Sequence, residues 1–175
     1  MKKLLSLLAV FFIFHFAKAQ QSVDLQENTP FEQNGIVYGY YITNESSKEV
    51  KGEDYDRYEV TMYVTNKSGG IKLIPFSQYG GSNVAEDEAT IAEFSCKNAT
   101  GKRFTSKGTS VKVKPWMTPV KITDEAQPAK YKIVNAQAGF ALMNNQTVNS
   151  KIIVIVPKGQ RPQVTCRPAS LPNNM

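Results

Sequence analysis

The stretch Tyr58-Glu59-Val60-Thr61-Met62-Tyr63-Val64-Thr65 decides the fold. Read with a period of two, Tyr58, Val60, Met62 and Val64 share one face, and Glu59, Thr61, Tyr63 and Thr65 share the other. A helix would scatter the same apolar residues around its cylinder. β-branched and aromatic side chains also suit a pleated, half-buried strand.

The same rhythm continues on both sides. Ile36, Tyr38, Tyr40 and Ile42 alternate with Val37, Gly39 and Tyr41, and Val111 and Val113 sit between Ser110, Lys112 and Lys114. Ile152 to Val156 is instead a continuous apolar run, which predicts a central strand covered on both faces. Further strands are expected at 71–74, 91–97, 102–105, 120–122, 131–135, 140–143 and 163–167. Turn signals follow three strands at Asn44-Glu45-Ser46-Ser47, Asn66-Lys67-Ser68-Gly69-Gly70 and Asn98-Ala99-Thr100-Gly101, the last two as hairpin loops. One helical turn is expected within 84–91, and no segment carries a longer helical stripe. About nine to eleven short strands predict an all-β fold, an antiparallel β-sandwich.

The chain opens with Met1-Lys2-Lys3, an apolar run from Leu4 to Phe16, and Ala17-Lys18-Ala19. A basic start, an apolar middle and a small-x-small end make a secretory signal peptide, with cleavage expected after Ala19. The run is shorter than the roughly 20 residues that span a bilayer, and no later stretch approaches that length, so no membrane span is expected. The expected organisation is a signal peptide over 1–19, a loose segment over 20–30, one β-sandwich domain over 31–168 and a flexible tail over 169–175. The product would be secreted or periplasmic.

Cleavage leaves 156 of the 175 residues and lowers the formal charge from +6 to +3. The remaining charge is divided along the chain. Residues 20–93 hold 5 cations and 13 anions, whereas residues 94–175 hold 13 cations and 2 anions. Folding the two halves together would neutralise most of this split. The alternative is a dipolar molecule whose basic face meets an acidic partner, another copy of the chain included.

Two cysteines, Cys96 and Cys166, remain in an exported chain, and each follows an apolar residue two positions earlier. Both thiols should point inward, and a disulfide between them is expected. Closing so long a loop would stabilise the fold by about 4 kcal/mol. Two buried thiols are the alternative.

The strand from Tyr58 to Thr65, with Asn66, Ser68 and Gly69 after it, resembles a strand and turn common in bacterial immunoglobulin-like domains. That resemblance implies an immunoglobulin-like sandwich. The Cys96–Cys166 spacing is similar to an antibody-type bridge, but three expected strands precede Cys96 and Trp116 lies 20 residues beyond it. Both depart from the antibody pattern, so no functional residue carries over. The ending Ala17-Lys18-Ala19-Gln20 resembles an export signal of a Gram-negative bacterium.

The single histidine, His15, leaves with the signal peptide. Ser-His-Asp and Cys-His catalysis and histidine-ligated metal sites leave with it. The cysteines lack Cys-x-x-Cys spacing, which disfavours a dithiol oxidoreductase. Two acidic clusters remain, Glu53, Asp54, Asp56 and Glu59, and Glu86, Asp87 and Glu88. Such carboxylates could bind calcium or hydrolyse a glycoside. Their spacing matches neither pattern, and solvated loops account for them. No cofactor or metal is expected.

Binding chemistry is better represented. Tyr41 and Tyr63 should both point away from the apolar face, and Tyr55, Tyr79 and Trp116 stand near turns or strand ends. The alternative is that Tyr41 and Tyr63 pack under loops or in the second layer of the sandwich and that Trp116 plugs the core. Exposed aromatic rings can stack on sugars or contact a protein. Lys112 and Lys114 share one outward face, and Lys130 and Lys132 another, which suits an anionic glycan or an envelope protein. Basic pairs without interleaved aromatics do not suit nucleic acid. Sequons at Asn44, Asn66, Asn98 and Asn145 read as turn chemistry in a bacterial protein.

The sequence therefore predicts an exported, non-enzymatic binding domain with Tyr41, Tyr63, Lys112, Lys114 and Trp116 as ligand-binding residues. A carbohydrate-binding module and a structural subunit of an envelope assembly, with self-association, are the alternatives.

Overall fold

The computed structural model describes residues 22–50, 52–74, 87–97, 103–124 and 127–171. They form β1 (Val23–Leu25), β2 (Phe31–Gln33), β3 (Ile36–Val50), β4 (Glu53–Asn66), β5 (Lys72–Ile74) and β6 (Ala89–Lys97). The remaining strands are β7 (Arg103–Val113), β8 (Pro115–Asp124), β9 (Gln127–Leu142), β10 (Thr147–Pro157) and β11 (Gln163–Pro168). No helix occurs among the described residues, and no helix is long and apolar enough to cross a membrane.

Three antiparallel sheets result, ordered β1-β11-β6-β7, β10-β4-β3-β2 and β5-β9-β8. Their inward faces share one core. β3 supplies Ile36, Tyr38 and Tyr40, and β4 supplies Tyr58, Val60, Met62 and Val64. These meet Ile91, Phe94, Val111 and Val164 from the first sheet and Phe140 and Leu142 from the third. Each fully buried valine, methionine or phenylalanine contributes about 1.5–3 kcal/mol by leaving water. β7 lies beside β10, where the Thr109 and Ser150 hydroxyls are 2.7 Å apart. At the opposite corner the chain crosses between the sheets from β1 to β2, and Asn28 N–H donates to the Tyr40 carbonyl at 3.1 Å.

One buried side chain joins the second sheet to the third. Asn66 closes β4 and is wholly buried. Its amide nitrogen donates to the Gly70 carbonyl at 2.7 Å and to the Leu142 carbonyl at 2.8 Å. Its carbonyl oxygen accepts from Ser68 N–H at 3.0 Å and from the Ser68 hydroxyl at 2.7 Å. The turn signal at 66–70 is therefore real, but it does not make the expected hairpin. The chain leaves β4 and pairs β5 with β9. Asn66 acts here as turn chemistry, with its amide fully engaged.

Only the end of β9 reaches the core. Among the described residues β8 and the rest of β9 pair with each other as an arm, with Tyr131 64% and Ile133 67% exposed. Lys121 places its ammonium 4.3 Å from the Tyr131 ring centroid.

Several expectations need correction. The disulfide is absent: Cys96 and Cys166 are buried and not bonded to each other. Register explains why. β11 pairs with β6 so that Cys96 faces Val164 and Cys166 faces Phe94. The cysteines are thus diagonal neighbours, roughly 7–8 Å apart in such a ladder, beyond the roughly 4.4–6.8 Å span of Cα atoms that a disulfide usually bridges. Asn44 to Ser47 is not a turn but continues β3, with a bulge between Ile42 and Asn44. Ile152 to Val156 is not covered on both faces, since Ile153 is 40% exposed while Val154 and Val156 are buried. Val23–Leu25, inside the segment expected to be loose, pairs with β11 as β1. In the expected tail, Ala169 N–H donates to the Ile91 carbonyl at 2.9 Å and Leu171 packs on the core. The expected helical turn lies partly outside the described residues, and its end at Ala89 to Ile91 opens β6. Residues 1–19 and 98–101, Lys102, Glu86 and Tyr79 also lie outside them.

Two outcomes follow. Asn66→Ala strands the Gly70 and Leu142 carbonyls and should destabilise the fold by about 2–4 kcal/mol, read as a lower urea midpoint. The second concerns Cys166, whose thiol burial pushes up to about 12 from an ordinary 9.0. The unfolded chain loses that proton first. Stability present below pH about 9 is therefore lost as the pH rises toward 12, on the order of 4 kcal/mol in full. Cys166→Val should shrink this alkaline loss, with buried Tyr38, also raised by burial, carrying part of the remainder. Reductant should leave the Tm unchanged, because no bridge exists to reduce.

Candidate functional site

The outward face of β3, β4 and β10 is built by strict register. Gly39, Tyr63 and Asn149 form one cross-strand row, and Tyr41, Thr61 and Lys151 form the next. Asn44, Glu59 and Ile153 form a third. The bulge after Ile42 makes that third row possible. It inserts Thr43, whose hydroxyl donates to the Glu59 carbonyl at 3.1 Å, and returns Asn44 to the outer face.

Tyr41 and Tyr63 meet on this face as the alternation requires. Their ring centroids are 6.0 Å apart at an interplanar angle of 45°. Tyr41 is 38% exposed and Tyr63 is half-buried. Gly39 determines where the Tyr63 ring lies. A Cβ at Gly39 would stand 2.4 Å from the Tyr63 hydroxyl oxygen and 2.5 Å from Cζ, so the ring covers the glycine. Thr61, between the Tyr41 and Lys151 positions, is fully buried, and its hydroxyl has no hydrogen-bond partner among the described residues. Glu59 and Lys151 form an ion pair at 3.3 Å along one side. Two tilted rings, a carboxylate, an ammonium and the Asn149 amide offer stacking and directional hydrogen bonding on one surface.

The other expected binding residues lie elsewhere. Lys112 is on β7 and pairs with Glu88 at 3.4 Å. Lys114 is exposed just beyond β7, and Trp116 is half-buried on β8 opposite Gly139. The structure thus brings Tyr41 and Tyr63 together and separates them from Lys112 and Trp116, which sit on other sheets, and from Lys114 in the link between β7 and β8.

Within the first acidic cluster, carboxylates have local partners. Lys158 holds Asp54 at 2.7 Å, the Gly159 N–H donates to Asp56 at 2.6 Å, and Tyr55 donates to Glu53 at 2.6 Å. Asp54 keeps the Lys158 ammonium pKa above its ordinary value. Among the described residues no group of three or more histidine, cysteine or acidic side chains is placed to hold a metal.

Sequence reasoning missed the supporting residues Gly39, Thr61, Asn149 and Lys151. A glycine inside a tyrosine-rich strand was the available signal, since it marks a close approach. It also missed Arg161, which pairs with Glu27 at 2.6 Å and Glu45 at 3.3 Å and lies 5.8 Å from the Tyr58 ring centroid. These partners join distant parts of the chain, so no local motif announces them.

No family model matches the chain, and no curated protein or solved structure matches it.

Gly39→Ala places a methyl group where the Tyr63 ring lies. The ring should swing outward and become more reactive to nitration, with a stability loss of about 1 kcal/mol. Unchanged Tyr63 reactivity would show that the glycine does not set the ring's position.

Proposed function

We propose that this chain is an exported, non-enzymatic binding domain, a single immunoglobulin-like β-sandwich whose contact surface is the Tyr41–Tyr63 face. The observation carrying this reading is the convergence of two outward tyrosine rings on a bulged, glycine-floored sheet face. Aromatic side chains that are neither core nor isolated supply most of the contact energy in protein recognition. The signal-like start at 1–19 supports action in the periplasm or outside the cell, against an envelope protein or glycan.

A carbohydrate ligand is the second reading. It is favoured by the Glu59 carboxylate, the Asn149 amide and the Lys151 ammonium around the rings, because sugars need polar groups beside a stacking surface. Lys112 and Lys114 form a separate basic surface in this scheme and do not extend the tyrosine site.

Tyr41→Ser tests the reading with least risk to the fold, since Tyr41 is the more exposed ring. Recovery of envelope partners in a pull-down should fall by about tenfold or more, while the thermal midpoint stays close to that of the parent. Lys112→Glu/Lys114→Glu should leave recovery of those partners intact. A glycan array separates the second reading: Tyr41-dependent binding to a polysaccharide supports it, and silence across the array removes it. Equal recovery of every partner by Tyr41→Ser removes the tyrosine face altogether.

A further inference from the structure

Three threonines are buried among the described residues, and their hydroxyls fare differently. Thr65 Oγ1 lies 2.8 Å from the Thr147 hydroxyl, and the Thr165 hydroxyl donates to the Ser95 carbonyl at 3.4 Å. Thr61 Oγ1 has no partner among the described residues, although the residue has no exposed surface. Burying an unpaired hydroxyl costs stability. Valine is branched at Cβ in the same way, suits a pleated strand equally and would leave nothing unpaired. Packing of the free protein therefore gives no reason for this oxygen.

Its position gives one. Thr61 stands on the outward face of β4, directly between Tyr41 on β3 and Lys151 on β10. Glu59 and Tyr63 flank it along the strand, each roughly 7 Å away at about 3.4 Å per residue. The cross-strand neighbours both reach water. Tyr41 is exposed, and the Lys151 side chain is 57% exposed. The hydroxyl thus lies a single layer of side chains below the surface. Exposed side chains change rotamer within nanoseconds, so this layer can part without any movement of the sheet.

The charges beside Thr61 cancel. Glu59 and Lys151 pair with each other at 3.3 Å. Arg57, the next cation along β4 on this face, lies beyond them in the row Ser46, Arg57 and Ile155. The polar groups around the two rings are therefore a paired carboxylate and ammonium, the Asn149 amide and the Thr61 hydroxyl. Each of them can donate to or accept from a ligand hydroxyl. Their charges sum to zero, so they favour neither an anion nor a cation.

We propose that this face takes an uncharged saccharide and that Thr61 is the residue that selects it. The Tyr41 ring turns aside, stacks on the apolar side of one sugar ring and uncovers Thr61 Oγ1, which then bonds to a sugar hydroxyl. The hydroxyl left unpaired in the free protein is satisfied in the complex. A ligand without a matching hydroxyl would leave it stranded and bind less tightly. The inference rests on the Tyr41–Tyr63 face being the contact surface, and it carries the carbohydrate reading of that face to a ligand class and a contact residue.

Calorimetric titration of the purified protein with neutral polysaccharides (β-glucan, mannan, xylan) and acidic ones (alginate, pectate) tests this. The parent should bind at least one neutral polysaccharide, and the acidic ones no more tightly. Thr61→Val should weaken that binding by about fivefold to tenfold, the worth of one hydrogen bond, without lowering the thermal midpoint. Thr61→Ser keeps the hydroxyl and should bind within about twofold of the parent. In the unsubstituted protein the Thr61 methyl resonance should shift when the bound polysaccharide is added, a readout that holds even where Thr61→Val does not fold. Binding to acidic polysaccharides alone, or to none, overturns the proposal, as does a Thr61 methyl that stays in place. A Thr61→Val protein that binds like the parent overturns it too. If Tyr41→Ser then still loses binding, the tyrosine face stands and only the role of Thr61 falls. If Tyr41→Ser also binds like the parent, the face itself falls.

Discussion

The Asn66 amide is the joint on which this architecture turns. It ends β4, organises the turn to β5 and holds the Leu142 carbonyl at the end of β9. Four hydrogen bonds engage one buried side chain, so the group meets its polar needs without water. An aspartate could not replace both donated bonds, and an apolar residue could replace none. The third sheet depends on this joint because, among the described residues, β5 pairs with β9 over Lys72 to Ile74 alone. The arm in turn begins where β9 leaves that short pairing.

The strands were legible because alternation is a local property. Tyr58 to Thr65 and Ile36 to Ile42 take the faces that a period of two assigns them, and Tyr41 and Tyr63 consequently emerge together. What alternation cannot encode is which strands become neighbours. Cys96 and Cys166 each point inward as expected, yet a two-residue offset in the β6–β11 ladder keeps them apart. Inward direction is a single-strand fact, whereas bonding distance requires register between strands 70 residues apart. The resemblance of their spacing to an antibody bridge failed for the same reason, because that bridge joins facing sheets and these cysteines share one sheet.

The misplaced turn at Asn44 to Ser47 exposes a second limit. Asn, Glu and Ser favour turns, but here they continue β3 beside β4. A bulge absorbs the irregularity, and the Thr43 hydroxyl bonds to the Glu59 carbonyl within it. Beyond the bulge Glu45 faces the Tyr58 side of the sheet, donates no bond itself and accepts one from the Tyr58 hydroxyl at 3.1 Å. Arg161 then draws Glu45 and Glu27 together over the same ring. A polar stretch can therefore be a strand when its partners lie elsewhere in the chain. Composition records the residues but not the partners.

The candidate site was partly readable for a related reason. Tyr41 and Tyr63 sit on strands that pair directly, so two correct face assignments sufficed to bring them together. Lys112, Lys114 and Trp116 were grouped with them only by chemical type, and the topology sends those residues to other sheets and the link between them. The charge split behaves in the same way. Part of it is neutralised between neighbouring or crossing segments, as in Lys151–Glu59, Lys158–Asp54 and the pair that Arg167 makes with Glu93. The charges left over include Glu49 on β3 and Lys130 and Lys132 on β9, for which no ion pair occurs among the described residues. Pairing between strands, and not position along the sequence, therefore decides which of these charges are neutralised.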